Sequence, residues 1–101
     1  MQDKEQTRKE HRLRLVGQRS LRLILKHGPM TENMLGNRLQ EPEYSSKAFE
    51  DLLAKGMLSS ELTSRGTRRF FLTEIGVKEA RSLYEQKHRE ILAIMQTAAV
   101  E

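Results

Sequence analysis

The chain has 101 residues, a formal net charge of +4 and no cysteine. This length predicts one domain with a core large enough to fold unaided. The lack of cysteine excludes disulfides and cysteine-based metal sites, and the positive charge favours an anionic partner. The charge is uneven, because residues 1–30 carry a balance of +5 and residues 63–101 a balance of +2, whereas residues 31–62 carry −3.

No apolar run in the sequence is long enough to span a membrane, and the N-terminus is polar and charged. These features predict neither a membrane partner nor a secretory signal. We therefore expect a cytoplasmic protein.

The N-terminal third of the chain predicts an arm followed by one helix. Residues 1–11 have no apolar stripe, which predicts a flexible basic arm. Such an arm either lies along a DNA backbone or is simply solvated, and the sequence leaves both possibilities open. From residue 12 to residue 27, apolar side chains recur at helical spacing. Gly28 and Pro29 end this helix, because Gly permits a helix stop and Pro cannot continue one.

Two shorter helices are predicted next. Thr31 is placed to cap a helix over residues 32–39, whose inward face holds Leu35 and Leu39. A third helix is predicted from residue 45 or 46 to residue 55, ended by Gly56. Connections this short make the helices crossing neighbours.

A β-hairpin follows the third helix. A β-type run over residues 57–63 leads into a tight turn at residues 64–66, where Gly tolerates a positive φ. The second strand is predicted over residues 68–72, and Thr73 is then placed to cap the next helix. Such a hairpin tip either contacts a phosphate backbone or is merely a solvated turn. The tip carries no acidic residue and three basic ones, Arg65, Arg68 and Arg69.

The last predicted helix, from residue 74 to about residue 99, is the longest. At ~1.5 Å per residue it extends for roughly 39 Å, more than the small domain before it can cover. Its apolar residues continue to its end at spacings that favour helix pairing, either with a second copy of the chain or with the chain's own first helix. We expect dimerisation, because the last turns have no intramolecular partner in view. The expected contacts are Val77, Tyr84, Ile91, Ile94 and Ala98.

Three segments of the chain carry a family resemblance. They read L-I-L-K-H-G-P-M-T-E-N-M-L-G-N-R-L, F-E-D-L-L-A-K-G-M-L and R-G-T-R-R-F-F-L-T-E-I-G. In this order they resemble the helix junction, the end of the recognition helix and the wing of winged helix-turn-helix regulators of the MarR, PadR and ArsR type. The resemblance implies a mainly α fold with a small β-hairpin. It places a winged helix-turn-helix domain at residues 12–73 and a long C-terminal dimerisation helix at residues 74–101.

The resemblance also implies how DNA is contacted. The third helix of this fold enters the major groove through its N-terminal residues, and the wing contacts the backbone or the minor groove. Alternation along the strand ranks Arg69 last among the wing contacts. The implied groove-facing residues are Tyr44, Ser45, Ser46 and Lys47, and the implied wing contacts are Arg65, Arg68 and Arg69. The recognition region departs from the pattern, because only Lys47 is basic there and acidic residues surround it: Glu41, Glu43, Glu50 and Asp51.

Other kinds of site are not indicated. His11, His27 and His88 are far apart and have no partners at metal-ligand spacing. No phosphate-binding Gly-rich loop and no catalytic set of residues can be assembled from the sequence. We therefore expect no cofactor, no metal site and no enzymatic activity.

Two functional hypotheses follow. The first is a homodimer that binds double-stranded DNA at specific sequences, most simply a transcriptional repressor from a bacterium, phage or plasmid. A plasmid-partition or replication-terminator role has the same architecture and stays open. The second is a winged-helix module that binds a protein partner through the acidic face of its second and third helices. The −3 balance of residues 31–62 motivates the second hypothesis.

Overall fold

The computed structural model describes residues 4–100, and the side chains of these residues except those of Glu5 and residues 97–100. Within that range the chain forms helices and a small antiparallel sheet with strand order β1-β3-β2. It is therefore mainly α with a small β structure, as the sequence predicts. The elements in chain order are α1 (Lys4–His27), β1 (Met30–Thr31), α2 (Glu32–Leu39), α3 (Pro42–Ala54), β2 (Leu58–Leu62), β3 (Arg68–Leu72) and α4 (Glu74–Val100).

Helix α1 begins earlier than predicted. Residues 4–11 are helical, so the prediction of a flexible arm is wrong for them, and residues 1–3 lie outside the described residues. The segment is rich in Lys, Glu, Gln and Arg, which favour a helix without forming an apolar stripe. The helix is also held to the rest of the fold, because the guanidinium of Arg12 donates to the Glu41 carboxylate at 2.5 Å. Neither helix propensity nor a distant ion pair produces apolar periodicity, so the sequence pattern shows neither of these effects.

Helix α2 has the predicted bounds and the predicted cap. The side-chain oxygen of Thr31 accepts a hydrogen bond from the backbone N–H of Met34 at 3.2 Å. Helix α3 begins at Pro42, three residues before the earlier of its predicted starts. Proline fits the first turn of a helix because a backbone N–H at that position has no helical acceptor. The earlier start places Tyr44 inside the helix rather than before it.

The predicted hairpin is present and gains a third strand. In the hairpin, Leu58 of β2 lies opposite Leu72 of β3. On the other edge of β3, Met30 of β1 lies opposite Phe70, so β3 is the central strand. A strand of two residues is too short to show alternation in the sequence. Only the tertiary pairing creates β1, and this pairing ties the start of α2 to the hairpin.

The core lies between α1, α2, α3, the sheet and the first half of α4. At its centre the rings of Phe49 on α3 and Phe70 on β3 are 5.1 Å apart, with an interplanar angle of 52°. Tilted aromatic pairs at this distance stabilise a fold beyond the area they bury. The contact joins α3 directly to the middle of strand β3. The buried apolar side chains are Val16, Leu21, Ile24, Met30, Leu35, Leu39, Ala48, Phe49, Leu52, Leu58, Phe70, Ala80 and Leu83.

Helix α4 starts where the sequence predicts, and its first turn is packed tightly. Thr73 caps it, because its side-chain oxygen accepts from the N–H of Gly76 at 3.1 Å. The backbone N–H of Thr73 also donates to the carbonyl of Met57 at 3.1 Å. A Cβ added to Gly76 would lie 1.9 Å from that same carbonyl oxygen. This approach of helix to backbone therefore requires glycine.

Candidate nucleic-acid interface

The first half of α3 presents part of the predicted groove-facing set. Ser46 and Lys47 are exposed, and Tyr44 is partly buried where its side chain packs on the core. Ser45 is only 7% exposed, and its hydroxyl donates to the carbonyl of Glu41 at 2.7 Å. Residues one position apart on a helix point about 100° away from each other, which explains why Ser45 and Ser46 differ. The structure therefore brings Tyr44, Ser46 and Lys47 to the surface of α3 and turns Ser45 inward.

The tip of the hairpin is a compact turn that holds Arg65 outward. The backbone N–H of Thr63 donates to the carbonyl of Thr67 at 2.8 Å, and their hydroxyls are 2.7 Å apart. Gly66 has a φ of 78°, as the predicted turn requires. Arg65 is exposed, and in the described part of the chain its guanidinium forms no ion pair. It is thus available to an external anion.

Arg68, the first residue of β3 after the turn, is not available in this way. Its Nη2 lies 2.9 Å from a carboxylate oxygen of Glu32 on α2 and 2.8 Å from one of Glu50 on α3. Its Nε also donates to Glu32 at 3.3 Å, and the guanidinium carbon lies 5.2 Å from the centre of the Phe70 ring. The hydrogen bond to Glu32, followed by that to Glu50, raises the pKa of Arg68 above its ordinary value. The guanidinium therefore stays charged and connects the hairpin to both helices.

Arg69 is also paired. It lies opposite Glu61 in the β2–β3 register and forms an ion pair with it across the two strands. Both side chains are about half exposed, with 50% for Arg69 and 49% for Glu61. An exposed cross-strand pair of this kind is weak, so an anion can compete for the arginine. Of the three predicted wing contacts, the structure leaves only Arg65 without a carboxylate partner among the described residues.

The acidic residues of the middle segment are largely balanced by arginines from elsewhere in the fold. Glu41 pairs with Arg12, and Glu50 pairs with Arg68. On α3, this leaves Glu43 and the half-buried Asp51 without an ion pair among the described residues. The local negative charge read from the sequence therefore overstates the negative charge that α3 presents.

Helix α1 carries basic side chains, of which sequence reasoning assigned Lys4 and Arg8 to a flexible arm and Arg12 to the start of the first helix. Lys4, Arg8 and Arg12 are exposed and are spaced four residues apart, so they lie along one face of α1. A surface cavity of about 290 Å³ lies between this end of α1 and α3, and its lining includes Lys9, Tyr44 and Lys47. The helical spacing of the basic residues was the signal in the sequence that could have identified this face.

The predicted dimerisation residues divide into two groups. Val77 is half-buried, and the hydroxyl of Tyr84 donates to the carbonyl of Arg22 on α1 at 3.2 Å. Ile91 and Ile94, in contrast, are 47% and 70% exposed. The side chain of Ala98 lies outside the described residues. Two further apolar residues in the same half of α4, Leu92 and Met95, are also exposed and were not among the expected contacts.

Neither a metal site nor a membrane-spanning helix is found in the described part of the chain. None of its His, Asp or Glu side chains come together in a group of three or more that could hold a metal ion. None of the helices described there is long and apolar enough to cross a membrane.

Comparison with known proteins shows similarity in structure. Neither the protein-family models nor the curated proteins contain a match to this sequence. RV1404 from Mycobacterium tuberculosis superposes with a TM-score of 0.69 at 24% identity, over 81% of this chain and 58% of that one. The adhesin competence repressor AdcR from Streptococcus pyogenes gives 0.66 at 22% identity, over 82% of this chain and 63% of that one. A MarR-family transcriptional regulator from Silicibacter pomeroyi gives 0.65 at 19% identity, over 92% of this chain and 81% of that one.

The chain spans less than two thirds of the length of the first two of these structures. The order of its helices, the small sheet and the hairpin before α4 are those of the MarR-family structure. These likenesses establish the fold, and the chain is a winged helix-turn-helix protein.

Proposed function

We propose that the chain binds double-stranded DNA as a homodimer and represses transcription. The observation that carries the proposal is the position of the wing, defined as β2, β3 and the turn between them. The ion pair between Arg68 and Glu50, at 2.8 Å, holds the wing against α3. The wing and the exposed side of α3 therefore form one surface, with Arg65 at its outer end and without a carboxylate partner among the described residues.

This surface fits a DNA duplex in the way that winged helices do. Helix α3 enters the major groove, where Ser46 and Lys47 reach base edges or phosphates and Tyr44 reaches a phosphate or a thymine methyl group. Arg65 then contacts the backbone or the minor groove. Arg69 adds a weaker contact once it leaves Glu61. Phosphate contacts supply affinity, and the α3 contacts supply sequence preference.

The second half of α4 supports a homodimer. Its large apolar side chains Ile91, Leu92, Ile94 and Met95 are between 41% and 70% exposed. At 100° per residue they cover an arc of about 160° around the helix. Exposed apolar clusters of this kind mark interfaces, and a second copy of α4 presents the same apolar arc. A two-fold dimer then places its two α3 helices on half-sites about one helical turn apart.

Repression is the regulatory direction that we propose, because AdcR, which shares the fold, is a repressor. In this role the protein needs no catalytic group, and it acts in the cytoplasm of a bacterial host. The alternative, a module that binds protein through an acidic α2–α3 face, is less well supported. Glu32, Glu41 and Glu50 are each engaged by an arginine of this chain, so they offer less free negative charge to a partner.

The test is fluorescence anisotropy on a mixed-sequence duplex across a salt series. We expect the wild type to bind with steep salt dependence. Arg65→Ala is expected to lower the slope of log K against log salt by about two units, one for each protomer of the dimer. Arg89→Ala is the matched control, because Arg89 is an exposed arginine on α4 whose one ion pair among the described residues is with Glu85, one turn away. Its slope should equal that of the wild type. No binding at low salt would overturn the proposal.

A further inference from the structure

Arg68 differs from the other wing arginines in what it contacts. One guanidinium is shared by two carboxylates, with Nη2 at 2.9 Å from Glu32 and 2.8 Å from Glu50. Its face also lies over the Phe70 ring, 5.2 Å from the centroid. The side chain remains 31% exposed, so neither ion pair alone is strong. Together they form a network in which a single cation is held at three points.

Glu50 belongs to the surface that faces DNA in the proposed complex. It is exposed, and it follows Ser46 by four residues and Lys47 by three, so all three lie on the same side of α3. A bare carboxylate on this side would repel the phosphate backbone when α3 enters the groove. Glu32, in the first turn of α2, contributes a second carboxylate within reach of the same guanidinium.

We propose that Arg68 is a positioning residue that masks these two carboxylates, so that α3 can approach DNA, and does not itself contact phosphate. This inference rests on the proposed function. It also changes the prediction for Arg68 made from the sequence, in which all three wing arginines contact DNA directly. The masking role follows from the geometry of these contacts. From the sheet, Arg68 reaches Glu32 on α2 and Glu50 on α3, which lie 36 and 18 positions before it in the chain.

Arginine suits this role better than lysine. Its planar fork donates in several directions at once, so that Nε and Nη2 serve Glu32 while Nη2 also serves Glu50. A lysine ammonium is a compact point charge on a flexible stem, and it lacks the planar, preorganised fork that donates to both carboxylates here. The guanidinium carbon also lies over the Phe70 ring, 5.2 Å from its centroid, which adds a cation–π contact. Position 68 therefore requires the planar guanidinium fork of arginine and not merely a positive charge.

The experiment is a double-mutant cycle with Arg68→Gln and Glu50→Gln, with DNA affinity measured by anisotropy at fixed salt. We expect Arg68→Gln to weaken binding by about tenfold, because two carboxylates lose their partner. Adding Glu50→Gln to Arg68→Gln should recover most of that loss. Glu90→Gln is the matched control, because Glu90 is an exposed glutamate on α4, and it should recover nothing in the same background.

The two possible roles of Arg68 predict different couplings. If Arg68 contacts phosphate directly, Glu50→Gln changes affinity by the same factor with and without Arg68, and the masking proposal is overturned. If Arg68→Gln fails to fold by circular dichroism, Arg68→Lys takes its place and should show the same rescue at smaller amplitude. Absence of rescue in that variant would also overturn the proposal.

The failure of the proposed function has a separate signature. If the wild type binds no duplex at low salt, DNA binding itself fails. The clamp of Arg68 on Glu32 and Glu50 is then tested by thermal unfolding of the same four proteins of the cycle. A coupling between Arg68→Gln and Glu50→Gln in the melting temperature would show that the ion pair exists without a DNA role. If the two substitutions change the melting temperature additively, the contact of Arg68 with the carboxylates is refuted as well.

Discussion

The two halves of helix α4 have similar compositions of apolar residues but opposite surroundings. In the first half, Ala80 is fully buried and Leu83 is 6% exposed, both packed with the core. In the second half, every described side chain from residue 85 to residue 96 is exposed, including Ile94 at 70%. The same helix thus continues from a packed environment into water. Apolar surface is stabilised by removal from water. Among the described residues of one chain, only the first half of α4 buries apolar side chains, although Ile75 in that half is 57% exposed.

This difference shows how one helix can serve two purposes. The first half closes the winged-helix core, because Tyr84 still bonds to the backbone of α1 and Leu83 lies in the core cluster. The second half adds nothing to that core and leaves a broad apolar arc uncovered. A long helix with this division fits a domain that folds by itself and then pairs. Three measurements distinguish the two halves, and the expected effect on the stability of the monomer decreases from the first to the third.

The largest effect is expected from Gly76→Ala, in the first turn of α4. The new Cβ would lie 1.9 Å from the carbonyl oxygen of Met57 and 2.9 Å from its carbon. Because backbone cannot move aside cheaply, the helix start must shift, and the hydrogen bond from Thr73 to Met57 is strained with it. We expect a loss of about 3 kcal/mol in the free energy of unfolding, measured by urea denaturation.

Gly36→Ala is the matched control for that substitution. A Cβ at Gly36 meets nothing within 4 Å, and Gly36 lies in the middle of α2. Alanine there should stabilise the protein by about 0.5 to 1 kcal/mol, since glycine is a poor helix former. Equal effects at both glycines would show that the start of α4 is not tightly packed against Met57.

A smaller loss is expected from Leu83→Ala, at the end of the packed half. Removing this buried side chain leaves a cavity, and the free energy of unfolding should fall by about 2 kcal/mol. Leu92→Ala makes the same chemical change in the second half, where the side chain is 41% exposed. It should cost less than about 0.5 kcal/mol when unfolding is measured at a protein concentration low enough to keep the chain monomeric. Similar losses at the two leucines would contradict the division of α4.

The smallest effect on monomer stability is expected from the pair Ile91→Glu and Ile94→Glu, because both side chains are already exposed. Their effect on association should be large, since a dimer would bury four unpaired carboxylates. We expect the dimer dissociation constant to rise by about 100-fold, measured by sedimentation equilibrium. Ser82→Glu with Gln86→Glu, two exposed positions on the opposite side of α4, is the control and should leave association unchanged. A wild-type chain that sediments as a monomer at high concentration would refute the dimer.

Local signals in the sequence predicted most of the elements. The bounds of α2 and β3 agree with the structure, and Thr31 and Thr73 cap the helices that follow them, as predicted. These features depend on residues close together in the chain, such as a cap and the amide three positions later. The early start of α1 was missed because its first turns are held by helix propensity and by the Arg12–Glu41 ion pair.

The site was harder to predict than the fold. The residue types on α3 and the wing were identified, but their surroundings were not. Ser45 is turned inward because of where α3 begins, and Arg68 is engaged by carboxylates on two other elements. A sequence shows that acidic and basic residues exist in a region, but it does not show which of them meet. For this reason the acidic appearance of residues 31–62 exaggerated the negative charge of the recognition surface.

Short-range patterns in the sequence were therefore enough to predict the order of the helices and the hairpin, the caps, and the seam of apolar residues along α4. All of these features are set by neighbours within a few positions. Only the three-dimensional packing created the third strand, the close approach of Gly76 to Met57, and the pairing of Arg12, Arg68 and Arg69 with their carboxylates. Those features depend on distances between residues far apart in the chain. Such distances exist only once the core around Phe49 and Phe70 has brought α3 and the wing together.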